Sequence, residues 1–222
     1  MTRYSVDSDV RLKAVLVVAC ISIAIAIGAN VWAVPCVKGA FYVAGLGALY
    51  DTLNDTGILG GAGTLGLYGG LWALFDSILW KWGPIASCHG IPNLNGTWDG
   101  KGTSSYVVDG EHVEYGMRLE VTQTFSKMEC KSKFASSESS SHIIGIHGCN
   151  PKRRSCTLEF SYQNEAHVES VEHEGWDNDH RGFNWIECDG DNMTGHYFTN
   201  RKEPTNGVFS LKRTSKRVAE HD

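Results

Sequence analysis

The chain divides into two parts by the spacing of its apolar residues. Up to Gly90 they run almost without interruption, whereas after Gly96 apolar and polar residues alternate with a period of two. Continuous apolar runs suit helices in a bilayer, and alternation suits strands buried on one face. The segment 91–100 therefore marks a change of solvent, and Pro92 restricts the backbone there.

The apolar part, residues 1–90, predicts two transmembrane helices. Residues 14–34 contain no charged side chain and match the ~20 residues that a helix needs to cross the hydrocarbon core. Residues 57–80 form a second, less uniform run that ends in the interfacial anchor Trp80-Lys81-Trp82. Basic residues flank the outer ends of both runs, so the positive-inside rule places both ends, and the C-terminal part, in the cytoplasm.

A cleaved signal peptide and a lipoprotein signal are the alternatives for the first apolar run. The run is longer than the apolar core of a usual signal peptide, and the sequence after Cys20 stays apolar where a processed lipoprotein turns polar. A transmembrane helix is therefore the preferred interpretation.

Glycines recur at four-residue spacing in the second run. Gly57 with Gly61 and Gly66 with Gly70 allow helix backbones to approach closely, which permits self-association. In a segment so rich in glycine, this spacing also arises by chance.

Residues 91–215 predict an all-β domain, followed by a polar tail at 216–222. About eight short alternating runs are separated by Asn-Pro, Asp-Gly and Asn-Gly turns. We expect a calycin-like antiparallel β-barrel of about eight strands, a size that holds one small ligand, with a β-sandwich as the alternative. Gly96-Thr97-Trp98 resembles the opening strand of calycin barrels, in which we expect Arg213 to close over Trp98.

The distribution of charge excludes one class of ligand. Five of the 20 basic and five of the 25 acidic residues precede Gly90, so the net charge of −5 belongs to the β domain. A net-acidic domain lacks the basic surface that polymeric nucleic acid requires. A few buried cations still suit a small anionic ligand.

The seven cysteines follow no disulfide framework, which favours a reducing compartment. Cys149 and Cys156 flank a predicted hairpin turn, where a disulfide is possible but less expected than two thiols. His147 beside Cys149 has no second ligand pair at zinc spacing, so no metal site is predicted.

Several inward positions of the predicted strands are polar, although an unpaired buried polar group costs about 1–3 kcal/mol. Aromatic rings offer stacking faces for bases, amides can bond to base edges, and arginine pairs with phosphate. The candidate ligand-binding residues are Trp98, Gln123, Tyr162, Asn164, Tyr197, Thr199 and Arg201. For any one of them a rim position in water is an equally good explanation, so their recurrence across strands carries the ligand hypothesis.

Motifs for catalysis are missing from the sequence. There is no nucleophile elbow, P-loop or dinucleotide fingerprint. Acids and histidines gather at 172–180, but without the i, i+4 histidine pair of a helical zinc site. We predict no catalytic residues.

Motifs along the chain resemble a known family. They are 74–81, 91–100, Gln123-Thr124-Phe125, the serines at 136–141, 162–165, 173–175, 195–201 and 205–207. In this order they resemble the CD-NTase-associated protein 15 family, the transmembrane β-barrel effectors of bacterial cyclic-oligonucleotide anti-phage (CBASS) systems. The similarity runs from the second helix onward, and Phe125 departs from the tryptophan expected there.

The resemblance implies a receptor rather than an enzyme. A cytoplasmic barrel would bind a cyclic dinucleotide made by a partner CD-NTase during phage infection, with no other cofactor. Binding would drive homo-oligomerisation of the membrane segments, compromise the bacterial inner membrane and kill the cell. Among the candidates, we expect aromatic rings to contact or support the bases, amides and hydroxyls to form hydrogen bonds, and Arg201 to bind a phosphate. The polar segment 165–182 is the candidate for a loop that reorders on binding.

A membrane-anchored, calycin-like carrier of a lipid or other hydrophobic ligand is the alternative function. Such a carrier would line its cavity with aliphatic side chains, so the chemistry of the cavity distinguishes the two.

Overall fold

Two structural units make up the chain. The computed structural model describes residues 1–6, 9–150, 155–166, 179–216 and 218. One unit comprises Met1–Ser8 and Trp80–Asp222, and the other comprises Asp9–Leu79. The first contains all the strands and the second contains the long helices.

Eight antiparallel strands of the first unit close into a barrel. Each pairs with the next along the chain, and the last returns to pair with the first. This confirms the predicted barrel and excludes the β-sandwich. The strands are β3 (Gly96–Val108), β4 (Glu111–Gln123), β5 (Lys127–Lys133), β6 (Ser137–Asn150), β7 (Ser155–Ala166), β8 (His180–Asp189), β9 (Asn192–Thr199) and β10 (Asn206–Ser215).

The hairpin between β3 and β4 shows how local sequence sets the register. Asp109 and Gly110 both have positive φ, at 52° and 86°. Positive φ at both central residues is the type I′ geometry, whose twist matches that of the flanking strands. The Asp-Gly pair thus sets Val108 opposite Glu111 at the start of this ladder.

The hydrophobic core fills one end of the barrel. Trp98 and Leu119 are cross-strand partners, as are Leu158 and Ile186, and all four are fully buried. This end is called the closed end below. The opposite end, where β3, β5, β7 and β9 finish, holds a cavity instead of a packed core.

The first six residues add two short strands that the sequence analysis did not predict. β1 (Thr2–Arg3) pairs with the start of β5, and β2 (Ser5–Val6) pairs in parallel with β6. Direct pairing of β5 with β6 involves only 131–133 of β5, so these strands lie between the remaining parts of the two. Tyr4 is buried there, and its hydroxyl donates to the Phe125 carbonyl at 2.9 Å.

The second unit contains α1 (Val10–Val43), α2 (Gly47–Asp55) and α3 (Ile58–Ser77). Within the described part of the chain, one segment, Val10–Ala29, is long and apolar enough to cross a membrane. Its side chains include exposed aliphatics such as Ile27, at 62%. The predicted first span therefore falls on a helix of suitable length and composition.

The second predicted span, 57–80, differs from the structure at its end. α3 stops at Ser77, and a short 3-10 helix (Leu79–Lys81) and α4 (Gly83–His89) follow. Trp80 was expected to anchor at the membrane surface, but it is fully buried in the barrel unit with its ring near that of Phe125. The indole packs within the protein because Phe125 and His89 provide an aromatic pocket for it.

Candidate functional site

The cavity lies at the end of the barrel opposite the closed end, which is called the cavity end below. Its volume is about 320 Å³. This lies at the lower end of the ~300–1,000 Å³ range of small-molecule sites. Five of the seven candidate residues line it: Tyr162, Asn164, Tyr197, Thr199 and Arg201. They come from β7, from β9 and from the connection after β9.

Tyrosine rings form one part of the wall, and glycines position them. A Cβ added at Gly102 would lie only 2.4 Å from the Tyr115 hydroxyl oxygen, so a ring in this place requires glycine on the neighbouring strand. The same arrangement occurs three times between direct cross-strand partners. The pairs are Gly102 with Tyr115, Gly182 with Tyr162, and Gly207 with Tyr197.

The hydroxyls of Tyr115 and Tyr162 remain protonated. Burial raises the pKa of Tyr115 far above its usual value, and the nearby Tyr197 raises it further. Burial likewise raises the pKa of Tyr162, although Arg201 partly offsets that shift. The Tyr197 hydroxyl donates to Ser104 Oγ at 2.9 Å, which orients this ring against β3. The rings are thus neutral surfaces suited to stacking with a base.

A row of buried polar side chains crosses four neighbouring strands on the other part of the wall. Its members are in register and point inward, and each is at most 9% exposed. The row consists of Ser132 on β5, Ser139 on β6, Asn164 on β7 and His180 on β8. Hydroxyl, amide and imidazole groups thus line the cavity together.

Arg201 supplies positive charge to one side of the cavity wall. Arg201 lies beside His180, with Arg201 Nε 3.3 Å from His180 Nδ1. The described lining residues contain no aspartate or glutamate. The guanidinium group of Arg201 can bind a phosphate through two parallel hydrogen bonds.

Thr199 is held at the rim by the connection between β9 and β10. Its hydroxyl is 3.0 Å from Thr205 Oγ1 and accepts a hydrogen bond from the Thr205 amide at 2.9 Å. Next to it, Asn200 Oδ1 accepts from the Arg181 amide at 2.7 Å. These contacts tie the segment that carries Arg201 to the start of β8.

Gln123 lies at the closed end, away from the cavity lining. It is 1% exposed, and its Oε1 accepts from the Leu94 amide at 2.8 Å. Its Nε2 donates to the Pro92 carbonyl at 3.1 Å and lies 3.4 Å from the Tyr4 hydroxyl. The side chain fastens the segment before β3 to the end of β4.

Trp98 also lies at the closed end. Its ring is fully buried, and Nε1 donates to the Leu94 carbonyl at 3.2 Å. The Arg213 guanidinium carbon stands 4.2 Å from the ring centroid, as the sequence predicted. Arg213 in turn donates to the Asn93 carbonyl at 3.1 Å. Trp98 therefore closes the barrel in this structure and does not face the cavity.

Several lining residues were missed by the sequence analysis. Tyr115 falls in a stretch to which no strand was assigned, and Ser132, Ser139 and Asn184 were not singled out among the many serines and asparagines. A usable signal existed for Tyr115, because Gly102 is its partner in a hairpin centred on Asp-Gly. No comparable signal marks the serines.

Two further sequence predictions concern the loop after β7 and a pair of cysteines. The candidate loop 165–182 lies mostly outside the described residues. Cys149 and Cys156, the predicted alternative disulfide, are both free thiols.

The lining composition bears on the type of ligand. Val113 and Met117 are the aliphatic residues among the described lining, and the others are aromatic, hydroxyl, amide or cationic. A carrier for an acyl chain would require a largely aliphatic surface. The described wall therefore presents aromatic rings and hydrogen-bonding groups in place of the aliphatic surface expected of a lipid carrier.

Comparison with known proteins gives two matches. Residues 89–213 match the family model described as "Cap15, cyclic dinucleotide receptor domain". The chain is also similar to CD-NTase-associated protein 15 of Yersinia aleksiciae, with 29% identity over 155 residues, covering 67% of this chain and 68% of that protein. The family match includes every described residue that lines the cavity.

Proposed function

The chain belongs to the Cap15 family of cyclic dinucleotide receptors, and from this premise we propose that its cavity binds a cyclic dinucleotide made by a partner CD-NTase. Binding promotes self-association of the helical segment in the bacterial inner membrane. The resulting disruption of the membrane kills the phage-infected cell. In this role the protein is a receptor and effector, not an enzyme.

The chemistry of the cavity is the observation that carries the proposal. Tyr162, Tyr197 and Tyr115 offer faces for the bases, and Asn164 and Thr199 offer hydrogen bonds. Arg201 supplies the charge for a phosphate. Trp98 and Gln123 contribute indirectly, because they hold the closed end of the barrel together.

The connectivity of the chain is compatible with a multi-pass arrangement that keeps the barrel on one side of the bilayer. Residues before α1 and residues from Trp80 onward belong to one folded unit, so the chain enters and leaves the helical segment on the same side of a bilayer. Such a chain crosses an even number of times. Two crossings, by α1 and α3, meet this condition, and exposed aliphatics along α1 suit contact with lipid.

Small residues on the helices support self-association. Among the described residues, no atom lies within 4 Å of a Cβ added at Gly28, Gly61 or Gly66, so these positions remain open to a neighbouring helix. Close backbone approach at glycine is a common basis for packing in membranes. Ligand binding shifts such an assembly only through a higher affinity for the oligomer than for the monomer.

Ligand binding is tested with the full chain in detergent, because residues 1–6 belong to the barrel unit. Thermal unfolding is followed with cyclic di-AMP, cyclic di-GMP and cyclic UMP–AMP. A ligand at 100 times its Kd should stabilise the protein by about 2.7 kcal/mol. Absence of a shift with all three, together with a shift from a fatty acid, would favour the lipid carrier and refute the receptor.

Arg201→Ala should weaken binding by roughly 10- to 150-fold, because hydrogen bonds to charged groups contribute about 1.5–3 kcal/mol. Arg118→Ala is the matched control. That arginine is on the outer surface, where it pairs with Asp99 at 2.6 Å, so its removal should leave Kd unchanged. Equal Kd values for the two variants would refute the phosphate-binding role of Arg201.

Membrane disruption is tested by dye release from liposomes that contain the full chain. The ligand that stabilises the protein should release dye, and Arg201→Ala should require a correspondingly higher concentration. Tight ligand binding without any dye release would contradict the proposal that the protein disrupts membranes.

A further inference from the structure

Ser132 carries a buried hydroxyl in the wall of the cavity. It is 1% exposed, it lines the cavity, and its Oγ has no hydrogen-bond partner among the described residues. A buried polar group without a partner costs folding free energy, so such groups are rare in native proteins. This hydroxyl therefore calls for an explanation in terms of what enters the cavity.

The neighbours of Ser132 show why its hydroxyl has no hydrogen-bond partner among the described residues. Its cross-strand partners are Leu119 on β4, which is aliphatic, and Ser139 on β6. On the same strand pair, Ser141 Oγ accepts a hydrogen bond from the Cys130 amide at 2.9 Å. The two buried serines thus differ: Ser141 has a protein partner, whereas Ser132 lies in the cavity wall with no partner among the described residues.

We propose that Ser132 is a specificity residue whose hydroxyl forms a hydrogen bond with the edge of a nucleobase in the cavity. This rests on the proposed function. Ser132 begins the polar row that continues through Ser139 to Asn164, whereas Arg201 lies at the other end of that row beside His180. A nucleotide lying along the row places its phosphate at Arg201 and its base at the serines.

The types of group fit this assignment. A serine hydroxyl is both donor and acceptor, and an asparagine amide offers both functions in a fixed plane. A base edge that presents a donor or an acceptor can therefore bond to Ser132, and Asn164 in the same row offers a further polar contact. A base with the wrong pattern leaves a buried group unpaired, and sites built on such groups discriminate strongly.

Ser132→Ala separates this role from a structural one. Without ligand, the variant should be as stable as the wild type or more stable, because the substitution removes an unsatisfied hydroxyl. With the best cyclic dinucleotide, Kd measured by calorimetry should rise about tenfold, which is ~1.4 kcal/mol. The preference among cyclic di-AMP, cyclic di-GMP and cyclic UMP–AMP should narrow as well.

Ser141→Ala is the control, since that hydroxyl has a protein partner and is absent from the described lining. It should lower stability and leave Kd unchanged, the opposite of Ser132→Ala. Ser132→Cys retains nearly the same size with a weaker donor and should also raise Kd.

The outcomes separate the two proposals. If the wild type binds and Ser132→Ala binds equally well with the same base preference, the specificity role is refuted and the receptor function stands. If the wild type binds none of the three ligands, the receptor function itself fails. A loss of stability in Ser132→Ala without ligand would also overturn the inference, because it would reveal a structural partner for the hydroxyl.

Discussion

The two ends of the barrel use similar residues for opposite purposes. At the closed end, Gln123 and Trp98 point inward and bond to the segment before β3, including the Leu94 amide and carbonyl. At the cavity end, Ser132 points inward and has no hydrogen-bond partner in the described chain. An inward polar residue therefore serves structure in the case of Gln123 and Trp98, whereas the hydroxyl of Ser132 remains available to a ligand.

The difference lies in the partners and not in the residue types. A buried amide or hydroxyl is stable in a core when the chain itself satisfies it. Residues 91–95 supply those partners at the closed end, where Asn95 Oδ1 also accepts from the backbone N–H of Gln123 at 2.7 Å. Polarity at an inward position thus predicts a ligand site only where no such segment covers it.

Removing the partner at the closed end should give the largest change in stability. Gln123→Met keeps the length of the side chain but leaves the buried Leu94 amide without its acceptor, so the free energy of unfolding should fall by about 1–3 kcal/mol. Urea unfolding measures this loss, and Kd for a cyclic dinucleotide should not change. Gln163→Met, on the outer surface of β7, is the control and should cost less than about 0.5 kcal/mol.

If Gln123→Met bound the ligand more weakly and kept the free energy of unfolding of the wild type, this comparison of the two ends would be wrong. That result would place Gln123 in the binding site, as the sequence analysis proposed.

At the cavity end, displacing a ring should affect binding more than stability. Gly102→Ala places a methyl group 2.4 Å from the Tyr115 hydroxyl oxygen, so the ring must move. We expect Kd to rise about tenfold, or ~1.4 kcal/mol, in calorimetric titrations. Gly116→Ala is a close control, because a Cβ there meets no described atom within 4 Å and should leave Kd unchanged. Equal effects of the two substitutions would contradict the role of Tyr115.

The sequence predicted the barrel because period-two alternation is a local property of each strand. It did not predict that β3 continues to Val108, since residues after Lys101 include exposed serines and valines that give little apolar signal. It also missed β1 and β2, because strands of two residues show no period and their partners lie more than 120 residues away.

The site was only partly predictable for a similar reason. Alternation identifies which residues point inward, as it did for Tyr162, Asn164 and Tyr197. It does not show which end of the barrel a covering segment fills. Trp98 and Gln123 were assigned to the ligand because nothing in their own strands reveals that Leu94 supplies their partners. That information is tertiary.

The stability of the closed end should also depend on pH through His89. This effect should be smaller than those of the substitutions above. The Ile91 amide donates to His89 Nδ1 at 3.0 Å, so Nε2 carries the proton and donates to the Trp80 carbonyl at 2.8 Å. Burial lowers the pKa of His89 below its usual 6.5, although the bond to Trp80 opposes this shift. Below about pH 6.5 the unfolded chain therefore binds a proton at this histidine, whereas the folded chain binds it only at a lower pH.

Stability from His89 is therefore complete above about pH 6.5 and declines as the pH falls towards the lower folded pKa. Urea midpoints of the wild type should decrease between about pH 7 and about pH 5.5. His89→Gln cannot gain charge and should show a shallower slope, whereas the exposed His196→Gln should keep the slope of the wild type. Identical slopes in all three proteins would mean that His89 takes up its proton at the same pH in the folded and the unfolded chain, which would contradict a stabilising role for its neutral form at the closed end.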